Sequence, residues 1–405
     1  MIEGSQTLET FDIHAPDARE GAECLWQRMR EMPGLYRSER YGGFYVASRF
    51  EDVMTVLTKP AIFASGKGIT LPPPTAIRSL HIPAEVDPPQ HGQYRALLMP
   101  FVTAEQSRQR EPAVRAIARQ LIGRIPDKEP VDFVRALGRP LPILVALDLL
   151  GMPAEDARDL EQLVEDIHQD VASGTSSGAA DRLRIYAERV LERRRVTARD
   201  PGEDLVSSVL LGTIAGRPLE SEEQMSMIRL FLIGGFDTVS ATLSEMTYWL
   251  AQNPDEAQRL RDDPSKIASA VEELVRYTSP ATYLRREVME DVELGGTQLK
   301  KGDSVLVAFG AANRDSQKFS CPENIIPDRK PNVHVGFGAG HHRCIGSFIA
   351  KVQLQVAFEE IFAHFSGFRV DERRPVKYSS GLNQGIISLP MIFTRAKVES
   401  LATAI

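Results

Sequence analysis

Phe337-Gly-Ala-Gly-His-His-Arg-Cys344-Ile-Gly346 constrains this 405-residue chain more tightly than any other segment. One cysteine sits in a glycine-rich loop, and apolar residues at helical spacing follow at once (Ile345, Phe348, Ile349, Val352, Val356). This order presents a thiol just ahead of a helix N-terminus, where unpaired N–H groups and the positive dipole end favour a thiolate. Gly338, Gly340 and Gly346 remove side chains where backbone can approach something flat and bulky. A lone thiolate presented this way suits the axial position of a haem iron, where it pushes electron density toward oxygen. The loop alone leaves a plainer alternative open: glycine-rich turns are common before helices, and a lone cysteine commonly serves as a small buried apolar residue. A zinc site from His334, His341, His342 and Cys344 fits by residue type. Adjacent histidines point apart, however, and the other cysteines, Cys24 and Cys321, offer no C-x-x-C pairing.

Composition narrows the classes. Hydrophobic residues make up 42% and charged residues 25%, as in an ordinary globular protein. The net charge of −7 argues against a nucleic-acid binder. Three cysteines give no disulfide framework, which fits a reducing compartment. No apolar run is read as membrane-spanning, and the first residues lack a signal-peptide layout. The expectation is a cytoplasmic, monomeric protein without a membrane anchor. No linker or repeat divides the chain, so residues 1–405 read as one domain, with 1–20 a poorly ordered lead-in.

A pass along the chain predicts a mainly α protein with small β-sheets. Residues 41–47 read as strand and 49–57 as a short helix. Prolines at 72, 73, 74, 83, 88 and 89 mark residues 66–90 as a long loop, a length that usually carries function. Helical patterns follow at about 91–122, 132–150, 154–171 and 180–199. Residues 295–307 and 385–393 look like hairpin strands, with turns at Gly295-Gly296 and Lys301-Gly302.

The longest helical stretch opens on Ser221-Glu-Glu-Gln224, read as a capping box, and stops at Asn253-Pro254. Its middle, Phe231-Leu-Ile-Gly-Gly-Phe-Asp-Thr238, places an acid and a hydroxyl in an apolar run. Two mid-helix glycines cost about 1 kcal/mol each against alanine. They read either as close packing on a neighbouring helix, with Asp237 facing solvent, or as a local opening beside a ligand. In the second reading Thr238 hydrogen-bonds oxygen or water and Asp237 relays protons. A further element, Glu273-Leu-Val-Arg276, puts a carboxylate and a guanidinium on one helix face. Alone such pairs are weak surface bridges. With Arg329 of Pro327-Asp-Arg329, they could form a buried Arg–Glu–Arg network behind the cysteine loop.

Taken together and in this order, the cysteine segment, Glu273-x-x-Arg276, Gly234-Gly235-x-Asp237-Thr238 and Arg329 resemble the cytochromes P-450, the haem-thiolate monooxygenases. The resemblance spans about residues 20–395. It is nearest to soluble bacterial members of the camphor-hydroxylase group, through Asp87-Pro-Pro89, Gln298-Leu-Lys-Lys-Gly-Asp303, Ser380-Gly381 and the double glycine. It implies haem b between the long helix and the helix after the cysteine, with Cys344 as iron ligand and O2 as co-substrate. Gly346 would let that helix lie against the haem, with Phe337 and Gly234 also at the cofactor. Arg95, Arg286, His342 and His91 match positions that bind propionates, Arg286 being preferred to Arg285. Asp237 and Thr238 would deliver protons, and Glu273, Arg276 and Arg329 would hold the loop.

The same resemblance places the 66–85 loop, with Ser79 and His81 in it, and Leu230, Ile233, Thr282, Tyr283, Leu284, Leu382 and Asn383 at the substrate. Where the camphor enzyme has a tyrosine, this chain has Ser79, which puts tight camphor binding in doubt. The substrate expected is a small apolar terpenoid, norisoprenoid, or cyclic ketone or alcohol. Electrons would come from a 2Fe–2S ferredoxin and its NADH-dependent reductase. Arg95, His341, Arg343, Arg108 and Arg110 would supply a basic face for it. The alternatives are a peroxide-using or rearranging haem-thiolate enzyme and a non-enzymatic haem sensor.

Overall fold

The computed structural model describes residues 6–73, 81–173 and 177–396. Its axis is the 32-residue helix Ser221–Gln252, which packs against helices Pro140–Leu149, Ala179–Arg195, Ile267–Thr278 and Ser347–His364. Its length and composition would suffice to cross a membrane, yet more than half of its apolar window is buried inside the protein. The cap lies one residue before the predicted one. Glu220 is the N-cap, its side chain accepting from the backbone of Glu223, while Glu223 accepts the Glu220 N–H at 2.7 Å. Two carboxylates complement the positive helix end better than Ser221 could. Gln224 instead donates to the carbonyls of Leu210 and Leu219. Asn253 ends the helix where the sequence placed its stop.

The stretch expected as one helix over 91–122 is three, Gln90–Leu98, Ala104–Gln109 and Glu111–Gly123. Pro100 and the capping Thr103 hydroxyl, which accepts from Gln106 N–H, interrupt it. The 132–150 pattern divides at Arg139-Pro140 into a π turn, Val134–Gly138, and the helix Pro140–Leu149.

One sheet runs Tyr36–Ser38, Phe44–Ala47, Ser304–Ala308, Tyr283–Val288, Phe63–Ala64. The expected 295–307 hairpin is only half formed. Val292–Leu294 and Thr297–Leu299 pair around Gly295 and Gly296 (φ 54° and 80°), but Ser304–Ala308 leaves them to become the central strand. All five of its residues are buried, so it needs cover on both faces. Likewise 385–393 is not one hairpin. Ile386–Ser388 pairs with Lys377–Tyr378, while Pro390–Arg395 lies between Phe365–Val370 and Pro130–Asp132. Among the described residues of the lead-in, Phe11 and Ile13 are buried against Trp26, Tyr36 and Tyr283. Their apolar bulk packs this segment on the core.

Candidate functional site

Between the long helix and the helix Ser347–His364 lies a cavity of about 340 Å³, onto which Cys344 opens. The cysteine loop is shaped locally. Gly338 has φ +69°, and the Cys344 N–H donates to the Phe337 carbonyl at 2.8 Å. Gly346 caps the following helix, and a Cβ added to it would meet only Ile349, at 3.9 Å. Gly340 has another reason to be glycine: its Cβ would lie 2.3 Å from the Leu57 carbonyl, so it serves packing on the helix Phe50–Thr58. Burial pushes the Cys344 thiol up, more than the Gly346 N–H, Arg95 and Arg343 pull it down. A metal cation bound at the sulfur would favour the thiolate.

Four cationic or neutral nitrogen side chains face the same cavity: His91, Arg95, Arg286 and His342. His91 and Arg95 are one turn apart on Gln90–Leu98, hence on one face. Leu284 and Arg286 are two apart on a strand, hence also on one face. Arg285 points the other way and is consumed by Ser304, the carbonyls of Lys67 and Gly68, and Glu287. The His91 and His342 rings lie 4.1 Å apart, and the buried Nε2 of each has no hydrogen-bond partner. Burial, followed by neighbouring charges, pulls His91 down to about 4 and His342 to about 3. Burial also draws Arg286 down to about 10. Its Nη1 donates only a neighbour contact, to the Arg285 carbonyl, and no carboxylate reaches salt-bridge range among the described residues. Buried donors left in this state call for an anion. The donor set, the orphaned ring nitrogens and the open face of Gly346 fit a flat group with carboxylates at its edge and a metal at its centre.

On the opposite wall the long helix contributes Leu230, Phe231, Gly234, Gly235 and Thr238. A Cβ on Gly234 or Gly235 would meet nothing within 4 Å, so neither glycine is there for helix packing. The helix is also not opened. Thr238 Oγ1 donates to the Gly234 carbonyl at 3.2 Å, and the helix runs unbroken through this stretch. The glycines leave room. Asp237 is half-buried and lines a second cavity of about 30 Å³, with Arg139, Ser240, Asn383 and Gln384. That volume suits about one water. Thr238 lines both cavities.

The remaining substrate residues divide. Leu230 and Leu284 face the main cavity. Ile233 packs instead on the apolar cluster of Leu147, Leu160 and Leu232. Thr282 is buried and donates to the Ser279 carbonyl; Tyr283 is in the core, its hydroxyl accepting from Trp26 Nε1 at 2.8 Å. The Leu382 carbonyl binds the N–H groups of Thr282 and Tyr283, and Asn383 belongs to the small cavity. Strand alternation turns Tyr283 away because Leu284 turns in. His81 is half-buried and absent from the cavity lining, and Ser79 lies outside the described residues. From the expected 66–85 loop, Ile69, Pro83 and Ala84 line the cavity; Met227, Phe231 and Ala281 line it too and were not expected there. Helical spacing back from Gly234 and Thr238 could have found Met227 and Phe231.

Behind the loop, Glu273, Arg276 and Arg329 are buried together. Arg276 Nε and Nη2 donate to Glu273 at 2.8 Å each, and Arg329 Nε lies 3.0 and 3.1 Å from its oxygens. The surface-bridge alternative is thereby excluded. The basic face is smaller than expected. Arg108 is engaged by Glu105 and Arg110 by Asp148, leaving exposed His341 and Arg343 beside the half-buried Arg95.

Comparison with known proteins bears on the family and the fold. A family model described as cytochrome P450 matches residues 174–390. Linalool 8-monooxygenase of Pseudomonas putida is 29% identical, covering 95% of this chain and 99% of its own. Steroid C26-monooxygenase of Mycobacterium tuberculosis is 30% identical over 92% and 94% of the two chains. The structure of cytochrome P450 CYP109Q5 from Chondromyces apiculatus superposes with a TM-score of 0.85 at 26% identity, covering 96% and 100%.

Proposed function

This chain belongs to the cytochrome P450 family and is a monooxygenase, and on that footing we propose that Cys344 ligates haem b and that the substrate is a small apolar molecule. The observation that carries the cofactor reading is the pairing of Cys344 with four unsatisfied or weakly satisfied nitrogen side chains around one cavity. Haem, when bound, supplies oxygen activation at its iron. His91, Arg95, Arg286 and His342 hold its carboxylates by charge-assisted hydrogen bonds. Thr238 and Asp237 move protons: the acid sits in the small polar cavity and the hydroxyl touches both spaces.

The rest of the wall excludes water. Ile69, Pro83, Ala84, Leu230, Phe231 and Leu284 are apolar, and Thr238 is the polar side chain on the long-helix side nearest the open glycines. A hydrocarbon-rich substrate without a charged anchor suits it. The similarity to a linalool 8-monooxygenase favours a terpenoid within that class. Electrons are proposed to come from a 2Fe–2S ferredoxin with an NADH-dependent reductase, docking at Arg343 and His341. The test is the carbon monoxide difference spectrum of reduced wild type and Cys344→Ser. A strongly red-shifted Soret band lost in the variant supports the assignment; a band at the histidine-haem position in wild type overturns it.

A further inference from the structure

One cluster beside the cysteine loop has no part in the scheme above. His334 has a side chain only 5% exposed, between the helix Ile267–Thr278 and the loop. Its Nδ1 accepts the Gly336 N–H at 3.0 Å, so the ring proton is on Nε2, which faces Glu272 Oε2 at 3.1 Å. The other Glu272 oxygen binds Lys351 Nζ, from the helix that follows the cysteine. Burial works to raise the Glu272 carboxyl, but His334 and Lys351 hold it below the ordinary value. The two ends of this chain meet again at Phe337. The His334 ring centroid lies 6.1 Å from that of Phe337, and Lys351 Nζ sits 5.2 Å over the same ring.

Phe337 is the residue whose carbonyl receives the Cys344 N–H, and Phe337 and Gly336 both line the cavity. The backbone at 336–337 is therefore gripped from one side by His334 and bears Cys344 on the other. Glu272 and Glu273 are neighbours on one helix and divide the task, since successive residues point about 100° apart. Glu273 gathers Arg276 and Arg329, whereas Glu272 reaches the loop. We propose that Lys351, Glu272 and His334 form one positioning chain that fixes the Cys344 sulfur by holding Phe337. The inference rests on the haem-thiolate reading of Cys344 and adds which residues orient that ligand. None of the three touches the reacting atoms; they act through Phe337.

The test uses the purified holoprotein and the variants His334→Ala, Lys351→Ala and Lys351→Arg. Amide hydrogen exchange is followed at Cys344, together with the lifetime of the red-shifted ferrous carbon monoxide band. Loss of an outer partner typically weakens a metal site 10- to 100-fold. Exchange at Cys344 is expected to quicken about tenfold in His334→Ala and Lys351→Ala, with a matching loss of band lifetime, while Lys351→Arg stays within about twofold of wild type. Lys351 is partly exposed, so its truncation leaves the core intact even where His334→Ala fails to fold. Unchanged exchange in Lys351→Ala overturns the proposal. So does an equal acceleration in Met29→Ala, a core variant in the cluster of Trp26, Tyr36 and Phe44, which holds no residue of the loop. Absence of the red-shifted band from wild type itself removes the haem-thiolate reading and this ligand-orienting role with it; exchange that still quickens would then mark a structural clamp only.

Discussion

Glu273→Gln isolates the charge at the centre of the buried network while keeping its shape. The carboxylate accepts two hydrogen bonds from Arg276, at 2.8 Å each, and a shared one from Arg329 at 3.0 and 3.1 Å. It also accepts the Ile326 N–H at 2.9 Å and Asn332 Nδ2 at 3.2 Å. Glutamine keeps one acceptor oxygen and turns an NH2 toward donors. About half of these contacts are lost, and charge-assisted bonds are worth about 1.5–3 kcal/mol each. Two guanidinium groups stay buried without their counter-charge. Carbonyls of Asn313, Pro322 and Asn324 at Arg276, and of Ser320 and Cys321 at Arg329, soften the loss. The expected destabilisation is about 3–5 kcal/mol, the range for breaking a buried pair. Denaturant unfolding of both proteins at equal haem content, followed by Trp fluorescence, gives the number. A difference under about 1 kcal/mol, the value of an exposed bridge, would refute the argument. The sign with pH is also fixed. Burial raises the Glu273 carboxyl, but Arg276 and the Ile326 N–H hold it below the ordinary 4.5. A depressed carboxyl stabilises above its unfolded value and ceases to as pH falls through its folded one. The gap between the two proteins should therefore shrink in acid.

Glu223 is held down to about 2, chiefly by Arg217, so its contribution is present above 4.5 and lost between there and about 2. Glu223→Gln should lower stability at pH 7 by about 1 kcal/mol, after screening at a partly exposed pair, and flatten the unfolding midpoint over that window. Gly234→Ala should stabilise the helix by about 1 kcal/mol while its methyl, pointing into open cavity, weakens binding of the bulkier substrates in a spectral titration; tighter binding would contradict the placement. Thr238→Val should leave substrate affinity within about twofold while NADH consumption outruns product formation, since the side chain bridging the two cavities loses its hydroxyl. Arg343→Glu should slow the protein's reduction by ferredoxin in a salt-sensitive way without altering substrate affinity; an unchanged rate would remove the exposed arginine from the docking face.

The elements the sequence stated outright were those in which local chemistry and spacing suffice. A cysteine between glycines and an apolar helix is presented just ahead of a helix N-terminus by local order alone. Glu273 and Arg276 share a helix face by geometry alone, and Asn253-Pro254 ends a helix by its own covalent constraint. Tertiary structure decided which way residues point once two faces compete. Tyr283 and Leu284 are adjacent, and pairing of their strand on both edges sends one to Trp26 and the other to the cavity. The glycines at 234 and 235 read equally as packing or opening, and only the empty space beside them shows that they make room. Ser304–Ala308 joined a sheet rather than a hairpin because five consecutive buried residues need neighbours from distant sequence. The same holds for the basic face and for His334. A charge's partner depends on through-space distances of a few ångströms, and those are set by packing between segments that the linear order keeps far apart.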